Sequence, residues 1–384
     1  MNNRKKILVV SPVPTHPPIS GNRSRILSLL ETINALGHDV YFLHVQQDRG
    51  DEKAMRGRWG DRYYCCEYTR PTNPVLNFLK RVYRKLGSQR TYTYGLDQWY
   101  DGRLDRCIQD LKSRINFNVV IVEYVFFSKA LKNFGADTLK VIDTHDVFAD
   151  RHKHYLKQGQ NPTWYSTSKR AESRGLARAD VVFAIQEEER SYFSTFCRKK
   201  VVVVGHNLTP IIHSSLDVVP HSVLFIASNN KINLQAAEFL INQVMPRVKE
   251  IFPLANFVIA GTVCGQLPEL PEVKKLGAVD DLAQAYKTAA VVVNPVLIGT
   301  GLKIKTMEAL AHGKPLVTTS VGAQGLEKYA DKAFLIADGP EMFAQSVVRF
   351  LSDKKLVDRV CAEGHAVIED CNQKNIETIQ AVIN

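Results

Sequence analysis

The sequence predicts an α/β protein made of two doubly wound domains, each a parallel sheet with helices on both faces. Short strand patterns alternate with helical patterns along the whole chain, as in repeated βαβ units. The alternation restarts after an irregular, polar stretch at residues 205–222. The chain of 384 residues is also too long for one ordinary core and suits two domains.

The first half contains six runs that are rich in Val and Ile and end at polar or small residues, a pattern typical of buried strands. These runs are KILVVSP, HDVYFLHV, NVVIVEY, KVIDTHD, DVVFAIQ and KVVVVGHN. Between the first two, apolar residues recur at helical spacing, at Ile26, Leu29, Leu30, Ile33 and Leu36. One βαβ unit therefore opens the chain.

The second half repeats this pattern with the strand candidates SVLFIAS, NFVIAG, AAVVVNPV and PLVTTS. We place an N-terminal domain at residues 1–215 and a C-terminal domain at residues 216–364. The last helix, about residues 365–384, is expected to pack back onto the N-terminal domain. In doubly wound sheets, ligands bind outside the carboxyl ends of the strands, so functional residues are expected there.

Composition narrows the class of partner and the compartment. The net charge of +11 predicts an acidic partner, such as a phosphorylated small molecule or an anionic lipid. No zinc-finger spacing, aromatic RNA-binding motif or basic heptad helix is present, so no nucleic acid is expected. The seven cysteines are scattered and suggest neither a disulfide framework nor a metal site, which fits a reducing cytoplasm.

The segment GTGLKIKTMEALAHGKPLVTTSVGAQG, residues 299–325, contains a candidate anion site. Its glycine-spaced loop follows a predicted strand and precedes a predicted helix, where free N–H groups and the helix dipole favour an anion. Lys303 and Lys305 add two positive charges, and a diphosphate is the natural ligand. The alternative is an ordinary loop whose lysines are solvated.

Glu308 follows Lys305 by one helical turn and is expected on the cation-lined side. An ionised carboxylate accepts hydrogen bonds only, so it can bind two ribose hydroxyls. Alternatively, Glu308 pairs with Lys305 on the same helical face.

Four stretches together resemble a known family. Residues 276–326 resemble the nucleotide-sugar half of retaining glycosyltransferases of the GT-B fold, in family 4. The stretches SVLFIASNNKINLQAAEFLINQVMPRV, SPVPTHPPISGNRSRILSLLETINALGHDV and DTHDVFADR resemble other blocks of that family. The resemblance covers most of both domains and is poor at residues 46–115. It implies two Rossmann-like domains that face each other across a cleft.

The resemblance also implies roles for individual residues. His145, Lys303 and Glu308 would be catalytic, with His145 near the transferred sugar or the acceptor hydroxyl. The lysines and nearby backbone would hold the donor's diphosphate, Glu308 the ribose, and backbone around Val279 the base. The donor-binding set is Gly21, Ser228, Lys231, Val279, Gly299, Thr300, Gly301, Leu302, Lys303, Lys305 and Glu308.

The sequence departs from the family pattern in three places. Thr300 stands where many relatives have a second glutamate, so sugar contacts must come from elsewhere. Ala227 and Ser228 stand where many have Gly-Arg, which leaves the phosphate to the two lysines with Lys231 as a helper. Gly21 is single where a glycine pair is usual.

Three N-terminal side chains have two interpretations each. As a neutral imidazole, His145 could bond a sugar hydroxyl or assist a proton transfer, or it could fix the strand end through Asp143 or Asp146. Arg23 and Arg25 could meet an anionic acceptor or be solvated.

The segment PVLNFLKRVYRKLGSQR predicts a basic amphipathic helix. Its apolar face comprises Val75, Leu76, Leu79, Val82, Tyr83 and Leu86, and its basic residues are Lys80, Arg81, Arg84 and Lys85. Such a helix can lie on an anionic membrane surface, pack its apolar stripe on the core, or bind the acceptor.

The function expected from all this is a retaining, hexosyltransferase-like enzyme that moves a sugar from a nucleotide sugar to a glycan or lipid-linked acceptor. Its expected setting is surface polysaccharide or glycoconjugate biosynthesis, in the cytoplasm or peripherally at the inner face of the membrane. No Asp-x-Asp pair is present, so neither a metal nor another cofactor is expected. The alternative is a GT-B-fold nucleotide-sugar binding protein or scaffold with lost or altered activity.

Overall fold

The computed structural model describes residues 4–18, 20–157, 159, 161–162, 164–279, 282–298 and 304–384. The chain forms two compact units, Met1–His206 with Asn375–Asn384 and Asn207–Lys374. Each unit contains one sheet in which every recorded strand pair is parallel. The predicted α/β class with two doubly wound domains is therefore confirmed.

The first unit has a seven-stranded sheet in the order β3-β2-β1-β4-β5-β6-β7. Its strands are β1 Lys6–Ser11, β2 Asp39–Val45, β3 Tyr63–Cys66, β4 Val119–Glu123, β5 Leu139–Asp143, β6 Val181–Ala184 and β7 Lys200–Val203. Its helices are α1 Gly21–Ala35, α2 Glu52–Trp59, α3 Pro74–Lys85, α4 Arg103–Arg114, α5 Arg151–Lys157, α6 Lys169–Leu176 and α7 Glu187–Ser194.

The second unit has a six-stranded sheet in the order β10-β9-β8-β11-β12-β13. Its strands are β8 Ser222–Ile226, β9 Asn256–Ala260, β10 Val273–Gly277, β11 Val291–Asn294, β12 Leu316–Thr318 and β13 Leu335–Ile336. Its helices are α8 Lys231–Phe239, α9 Met245–Ile251, α10 Leu282–Thr288, α11 Ile304–Ala311, α12 Pro340–Ser352 and α13 Lys354–Ile383, with a π-helical turn between α8 and α9.

The strand β8 explains why both faces of the second sheet are covered. All five of its residues are buried, and successive side chains of a strand point to opposite faces. Val223 and Phe225 belong to one apolar cluster, whereas Leu224 and Ile226 belong to another. A continuous apolar run of this kind is what a parallel strand between two helical layers requires.

The strand β1 sets the register of the first sheet. Ile7 lies opposite Val40 of β2 on one side and Val119 of β4 on the other. The helix α1 then packs on the sheet through the apolar residues predicted for it, since Ile26, Leu29 and Leu30 are buried.

The second unit is longer at both ends than the domain expected at residues 216–364. The division falls after His206 and not at residue 215. Residues just beyond it bond within the second unit: the Leu208 N–H donates to Asn372 Oδ1 at 3.1 Å. At the other end, the residues that return to the first unit are Asn375–Asn384, a shorter segment than 365–384.

Candidate functional site

Each sheet has a point at which its strand order reverses, and the candidate site residues lie at or next to these two points. In the first unit the reversal falls between β1 and β4, and in the second between β8 and β11. Loops that leave the carboxyl ends of such strands diverge in opposite directions and leave a crevice for a ligand.

Lys305 lies in the first turn of α11, the helix that follows β11 in the second unit. Its ammonium donates a hydrogen bond to Asn233 Oδ1 at 2.8 Å. Burial lowers the pKa of Lys305 to about 8, and the nearby Glu308 opposes that shift. The amine is therefore mainly protonated at neutral pH, in a place where little water competes for its charge.

Asn233 connects Lys305 to the loop after β8. Its amide nitrogen donates to the Ser228 carbonyl at 2.8 Å and to Ser228 Oγ at 3.1 Å. Asn230 caps α8 by accepting from the Asn233 N–H at 2.9 Å. The side chain of Asn233 thus holds Lys305 and Ser228, two predicted donor-binding residues, in one hydrogen-bonded chain.

Glu308 lies one turn after Lys305. Burial raises the pKa of its carboxyl to about 7, although Lys305 and the Tyr286 hydroxyl both favour the ionised form. The hydroxyl of Tyr286 donates to Glu308 Oε2 at 3.3 Å, and its ring stacks on His312 with centroids 4.3 Å apart. Lys305 and Glu308 have separate partners and form no ion pair within 4 Å, unlike the simple helical pair that was the alternative.

A buried polar network fixes the beginning of α11 against β11. Asn294 Nδ2 donates to Thr306 Oγ1 at 3.0 Å, and Thr306 Oγ1 donates to the Gly322 carbonyl at 2.7 Å. A Cβ atom at Gly322 would lie 2.0 Å from Thr318 Oγ1, so only glycine allows this approach. The network therefore holds Lys305 and Glu308 at the end of the strand.

In the first unit, His145 lies two residues after β5 and has an unusual backbone conformation, with φ 62°. Its side chain is 5% exposed, and its Nε2 is 2.5 Å from Glu123 Oε2 and 3.5 Å from Asp143 Oδ2. Burial lowers the pKa of His145 to about 4, while Asp143 opposes the shift and Arg25 adds to it. The imidazole is therefore neutral at physiological pH.

Glu123 ends β4 and is fully buried. Burial and the negative charge of Asp143 raise the pKa of Glu123 well above its usual range. A protonated carboxyl can donate the hydrogen bond that joins it to a neutral imidazole, and in that arrangement the ring proton of His145 is on Nδ1. The protonation of Glu123 and the tautomer of His145 are therefore coupled.

Arg25 neutralises the other carboxylate. Its guanidinium is 2.5 Å from Asp143 Oδ1, with both side chains at most 1% exposed, and it donates to the Gly205 carbonyl at 2.7 Å. Buried charges are stable only when paired in this way. Arg25 is thus neither solvated nor presented to an acceptor, which corrects both interpretations drawn from the sequence.

Arg23 is also engaged. Its guanidinium donates to Asp48 Oδ2 and to the Arg49 carbonyl, each at 2.8 Å. This ion pair connects α1 to the loop after β2. The guanidinium of Arg23 would have to leave these partners to bind an anionic acceptor.

Tyr124 lies between His145 and Asn22. Its ring stacks on His145 with centroids 4.3 Å apart, and its hydroxyl accepts from Asn22 Nδ2 at 3.1 Å. Like His145, it has a left-handed backbone, with φ 70°. Such strain in two neighbouring non-glycine residues is a feature of functional sites.

Asn22 in turn lines a cavity of about 300 Å³. The other lining residues are Pro12, Val13, Gln47, Asp48, Phe126 and Trp164. Gly21, the first residue of α1, is next to Asn22 in sequence. The cavity, Asn22, Tyr124 and His145 thus form one continuous series at the end of the first sheet.

Comparison with known proteins gives the family of the second unit. Residues 220–353 match the family model of the glycosyl transferases group 1. The second unit carries a group 1 glycosyltransferase domain. The family resemblance inferred from the sequence motifs is confirmed, and Lys305 and Glu308 lie inside the matched segment.

Three further proteins are similar over nearly the whole chain. A protein of Klebsiella pneumoniae, described as an uncharacterized 44.6 kDa protein in a cps region, is 23% identical over 90% of each chain. Sucrose-phosphate synthase from Thermosynechococcus elongatus superimposes with a TM-score of 0.68 at 14% identity, covering 98% of each chain. Anabaena HepE, in complex with UDP and glucose, gives 0.64 at 14% identity, covering 98% of this chain and 100% of its own. These structures establish the GT-B fold.

Part of the donor-binding set of this glycosyltransferase domain lies outside the described residues. That part is Gly299, Thr300, Gly301, Leu302 and Lys303, and the roles assigned to it stay predictions. Lys231 is the exposed first residue of α8, and Val279 is partly buried against the core next to α10. Their contacts with a donor also stay predictions.

Sequence reasoning missed Asn233, Tyr286, Glu123, Tyr124 and Asn22. Glu123 and Tyr124 end the β4 pattern, where ligand-binding residues are expected, and this position was the available signal. Glu123, Asp143 and His145 also offer three ligand atoms within 4.8 Å of one another, a grouping across two strands that sequence spacing does not reveal.

The basic helix α3 does not pack its apolar stripe on the core. None of its residues is buried, and Val75 and Phe78 are 66% and 63% exposed. Lys80 is the exception among its cations, because its Nζ is buried 3.2 Å from the ring centroid of Tyr94. Across the part of the chain that the structure describes, no helix has the length and apolar character needed to span a membrane.

Proposed function

We propose that the chain is a glycosyltransferase that moves a sugar from a nucleotide sugar to a glycan or lipid-linked acceptor, with retention of configuration and without a metal. The observation that carries the proposal is the pair Lys305 and Glu308 at the start of α11, inside the group 1 domain. A cation suited to a diphosphate and a carboxyl suited to a ribose stand there one helical turn apart.

The donor's diphosphate binds at Lys303, Lys305 and the intervening backbone. A diphosphate next to Lys305 favours the protonated amine and offsets the effect of burial on its pKa. Glu308 in its ionised form accepts hydrogen bonds from the ribose hydroxyls. The similar HepE structure is a complex with UDP, which supports uridine nucleotides as the first donors to test.

In the reaction, the bond between the anomeric carbon and the donor's β-phosphate oxygen breaks, and its electron pair leaves with the diphosphate. The lysines stabilise that charge as it develops. The acceptor oxygen attacks the anomeric carbon from the same face, and the departing phosphate takes the acceptor's proton. His145, with its proton on Nδ1, bonds a hydroxyl of the sugar or of the acceptor.

The charges around His145 support metal independence. Glu123, Asp143 and His145 could geometrically hold a cation, but Arg25 already neutralises Asp143. Glu123 would also have to lose a proton that its burial retains, and metal ligands must be deprotonated. The donor's negative charge is therefore met by lysines.

Two observations support the setting. The Klebsiella relative is described as a protein of a cps region, which supports surface polysaccharide biosynthesis. The exposed apolar and basic residues of α3 support peripheral attachment to an anionic membrane, on the cytoplasmic side.

The deciding experiment is a calorimetric titration with nucleotide diphosphates and nucleotide sugars, in chelator and then with Mg²⁺. We expect one nucleotide to bind without metal, and we expect Glu308→Gln and Lys305→Met to weaken it at least about tenfold. Lys332→Met is the control, since it removes an exposed lysine of the same unit.

Two results would contradict the proposal. Binding that requires Mg²⁺ would remove metal independence. Metal-free binding with no turnover of any donor, either to water or to an acceptor, would favour a nucleotide-sugar binding protein or scaffold.

A further inference from the structure

A second cavity of the first unit lies beside α3. Its volume is about 300 Å³, and its lining is half aromatic, with two guanidinium groups and no carboxylate. The lining residues are Arg70, Arg84, Thr91, Tyr92, Tyr94, Trp99, Pro162 and Trp164. The cavity is therefore positively charged and walled by rings.

Within the described part of the chain, two cations here contact aromatic rings and no acid: Arg70, which lines the cavity, and Lys80, which lies on the ring of the lining residue Tyr94. The Arg70 guanidinium carbon is 3.7 Å from the Trp99 centroid, and Lys80 Nζ is 3.2 Å from that of Tyr94. Neither side chain has a hydrogen bond or an ion pair with the described residues, and Lys80 Nζ is buried. Cation–π contact fixes a charged group but leaves its N–H donors available.

Burial and the charge of Arg70 lower the pKa of Lys80 to about 8. A buried ammonium with no hydrogen-bond partner is unfavourable, and an anion next to it would relieve that cost. Arginine forks and a lysine are the groups that proteins use to bind phosphate.

The residues on either side of the cavity indicate which groups the ligand has besides its phosphate. Arg84 lies on α3, whose side chains Val75, Phe78 and Leu86 are more than 60% exposed and offer an apolar surface. On the other side, Trp164 lines both this cavity and the one beside Asn22. Its ring also contacts Tyr124, with centroids 5.5 Å apart, and Tyr124 stacks on His145.

We propose that this cavity binds the phosphate group of an amphiphile, with Arg70, Arg84 and Lys80 as its cations. The apolar chain of that amphiphile lies along α3. Its head group passes Trp164 toward Tyr124 and His145. The cavity is thus the binding site for a lipid-linked phosphate or diphosphate acceptor, an assignment that rests on the proposed glycosyltransferase function.

Tryptophan fluorescence can test the proposal directly, because two of the three tryptophans, Trp99 and Trp164, line the cavity. We expect saturable quenching by geranyl diphosphate, in chelator and below its aggregation concentration. Arg70→Gln and Arg84→Gln should each weaken the affinity at least about tenfold. The control Arg81→Gln, which removes an exposed charge of the same helix outside the cavity, should leave it unchanged.

The other probes separate the possible sources of the phosphate. If geranyl diphosphate binds more tightly than dioctanoyl phosphatidic acid, the result supports the assignment of the cavity to a lipid-linked acceptor. If the two bind equally, the cavity is a site for an amphiphile phosphate in general, and the assignment to the acceptor is overturned. Equal binding of inorganic diphosphate would show a site for free phosphate and overturn the amphiphile. Equal binding of geraniol, or equal affinity in the parent, Arg70→Gln and Arg84→Gln, would overturn the anion site.

The titration contains no nucleotide. If it fails while nucleotide binding at Glu308 persists, the cavity assignment is wrong and the glycosyltransferase proposal stands. If nucleotide binding fails while the cavity still binds geranyl diphosphate, the glycosyltransferase proposal and the assignment to an acceptor are wrong, and the cavity is a site for an amphiphile phosphate.

Discussion

Glu123 and His145 share a hydrogen bond, and an isosteric substitution can test whether the Glu123 carboxyl is its neutral donor. If Glu123 is a neutral donor, a glutamine amide can replace it. We therefore expect Glu123→Gln to retain kcat/KM within about tenfold, because one neutral hydrogen bond replaces another. The measurement is donor turnover to water or acceptor, together with the ¹⁵N shifts of His145, which should show the proton on Nδ1 in both proteins.

The matched variant is Glu123→Leu, which removes the donor and leaves His145 Nε2 without its partner. We expect this variant to lose activity and the fixed tautomer together. If Glu123→Gln falls as far as Glu123→Leu, or if His145 carries its proton on Nε2, Glu123 accepts this hydrogen bond and is not its donor.

The two titrating groups at α11 predict a bell-shaped pH dependence of nucleotide affinity. Under the proposed function, Glu308 binds ribose in its ionised form, so nucleotide affinity should rise with pH through about 7, the pKa to which burial raises it. Lys305 is proposed to bind phosphate in its protonated form, so affinity should fall as pH passes about 8. Calorimetric titration with the nucleoside diphosphate between pH 5.5 and pH 9.5, roughly two units around these values, measures the profile.

The variant Glu308→Gln separates the acid limb of the affinity profile from its alkaline limb. The acid limb contributed by the protein should disappear, leaving the titration of the nucleotide's own phosphate, while the alkaline limb should stay. An unchanged acid limb would mean that Glu308 does not contact the ribose.

The sequence located the residues whose chemistry is encoded locally. Lys305, Glu308 and His145 follow strands within short motifs, so their positions could be read from the strand pattern. Asn233 contacts Lys305 from 72 positions away, and Glu123 contacts His145 from 22 positions away. Such partners are brought together by sheet order. The burial of Arg25 was foreseeable in part, since it precedes Ile26 on the buried face of α1.

At the level of elements, α3 makes a prediction about membrane binding. Val75→Ser with Phe78→Ser should weaken binding to both anionic and neutral vesicles, because these exposed side chains would insert into either. Arg81→Gln with Lys85→Gln should weaken binding to anionic vesicles alone, by about 30-fold, since each charge contributes about 1 kcal/mol. Vesicle co-sedimentation at low and high salt measures both effects.

This choice of charges leaves Arg84 and Lys80, and with them the proposed phosphate cavity, unchanged. The control is Leu254→Ser, which removes an exposed apolar side chain from the second unit. Equal vesicle binding by the parent, the serine pair and this control would mean that the exposed apolar residues of α3 do not insert into a membrane.

The elements that the sequence predicted are those with a strong local pattern. The strands β1, β2 and β4 to β7 were found from continuous apolar runs. The strands β3 and β10 were missed because they lie at sheet edges, where β3 reads Tyr-Tyr-Cys-Cys and β10 carries Lys274 and Lys275. An edge strand is covered on fewer sides, so its sequence need not be uniformly apolar. The short strand β13 has only two residues.

At the scale of the whole molecule, the sequence predicted two domains, and the two compact units divide after His206 and again before Asn375. The helix α13 is continuous from Lys354 to Ile383, yet its last residues belong to the first unit and the rest to the second. A helical period continues smoothly across such a change of partner, so the pattern alone cannot mark it. Hydrogen bonds show where α13 begins to belong to the first unit: Asn375 Oδ1 accepts from the Gly205 N–H at 2.8 Å.

The end of α13 should therefore stabilise the first unit specifically. Ile379 and Ile383 are at most 1% exposed and belong to the apolar core of that unit. We expect Ile379→Ala to destabilise the first unit by about 2–5 kcal/mol, because it removes buried methyl groups and leaves a cavity. Differential scanning calorimetry, with and without the nucleotide that binds the second unit, separates the two transitions.

The neighbouring Gln380→Ala is the matched control, since Gln380 is exposed and the substitution should change stability by less than about 0.5 kcal/mol. In Ile379→Ala, the transition that nucleotide does not shift should move to lower temperature, and nucleotide affinity should stay as in the parent. If Ile379→Ala instead lowers the nucleotide-stabilised transition, the end of α13 belongs energetically to the second unit, and the division of the chain at Asn375 would have to be moved.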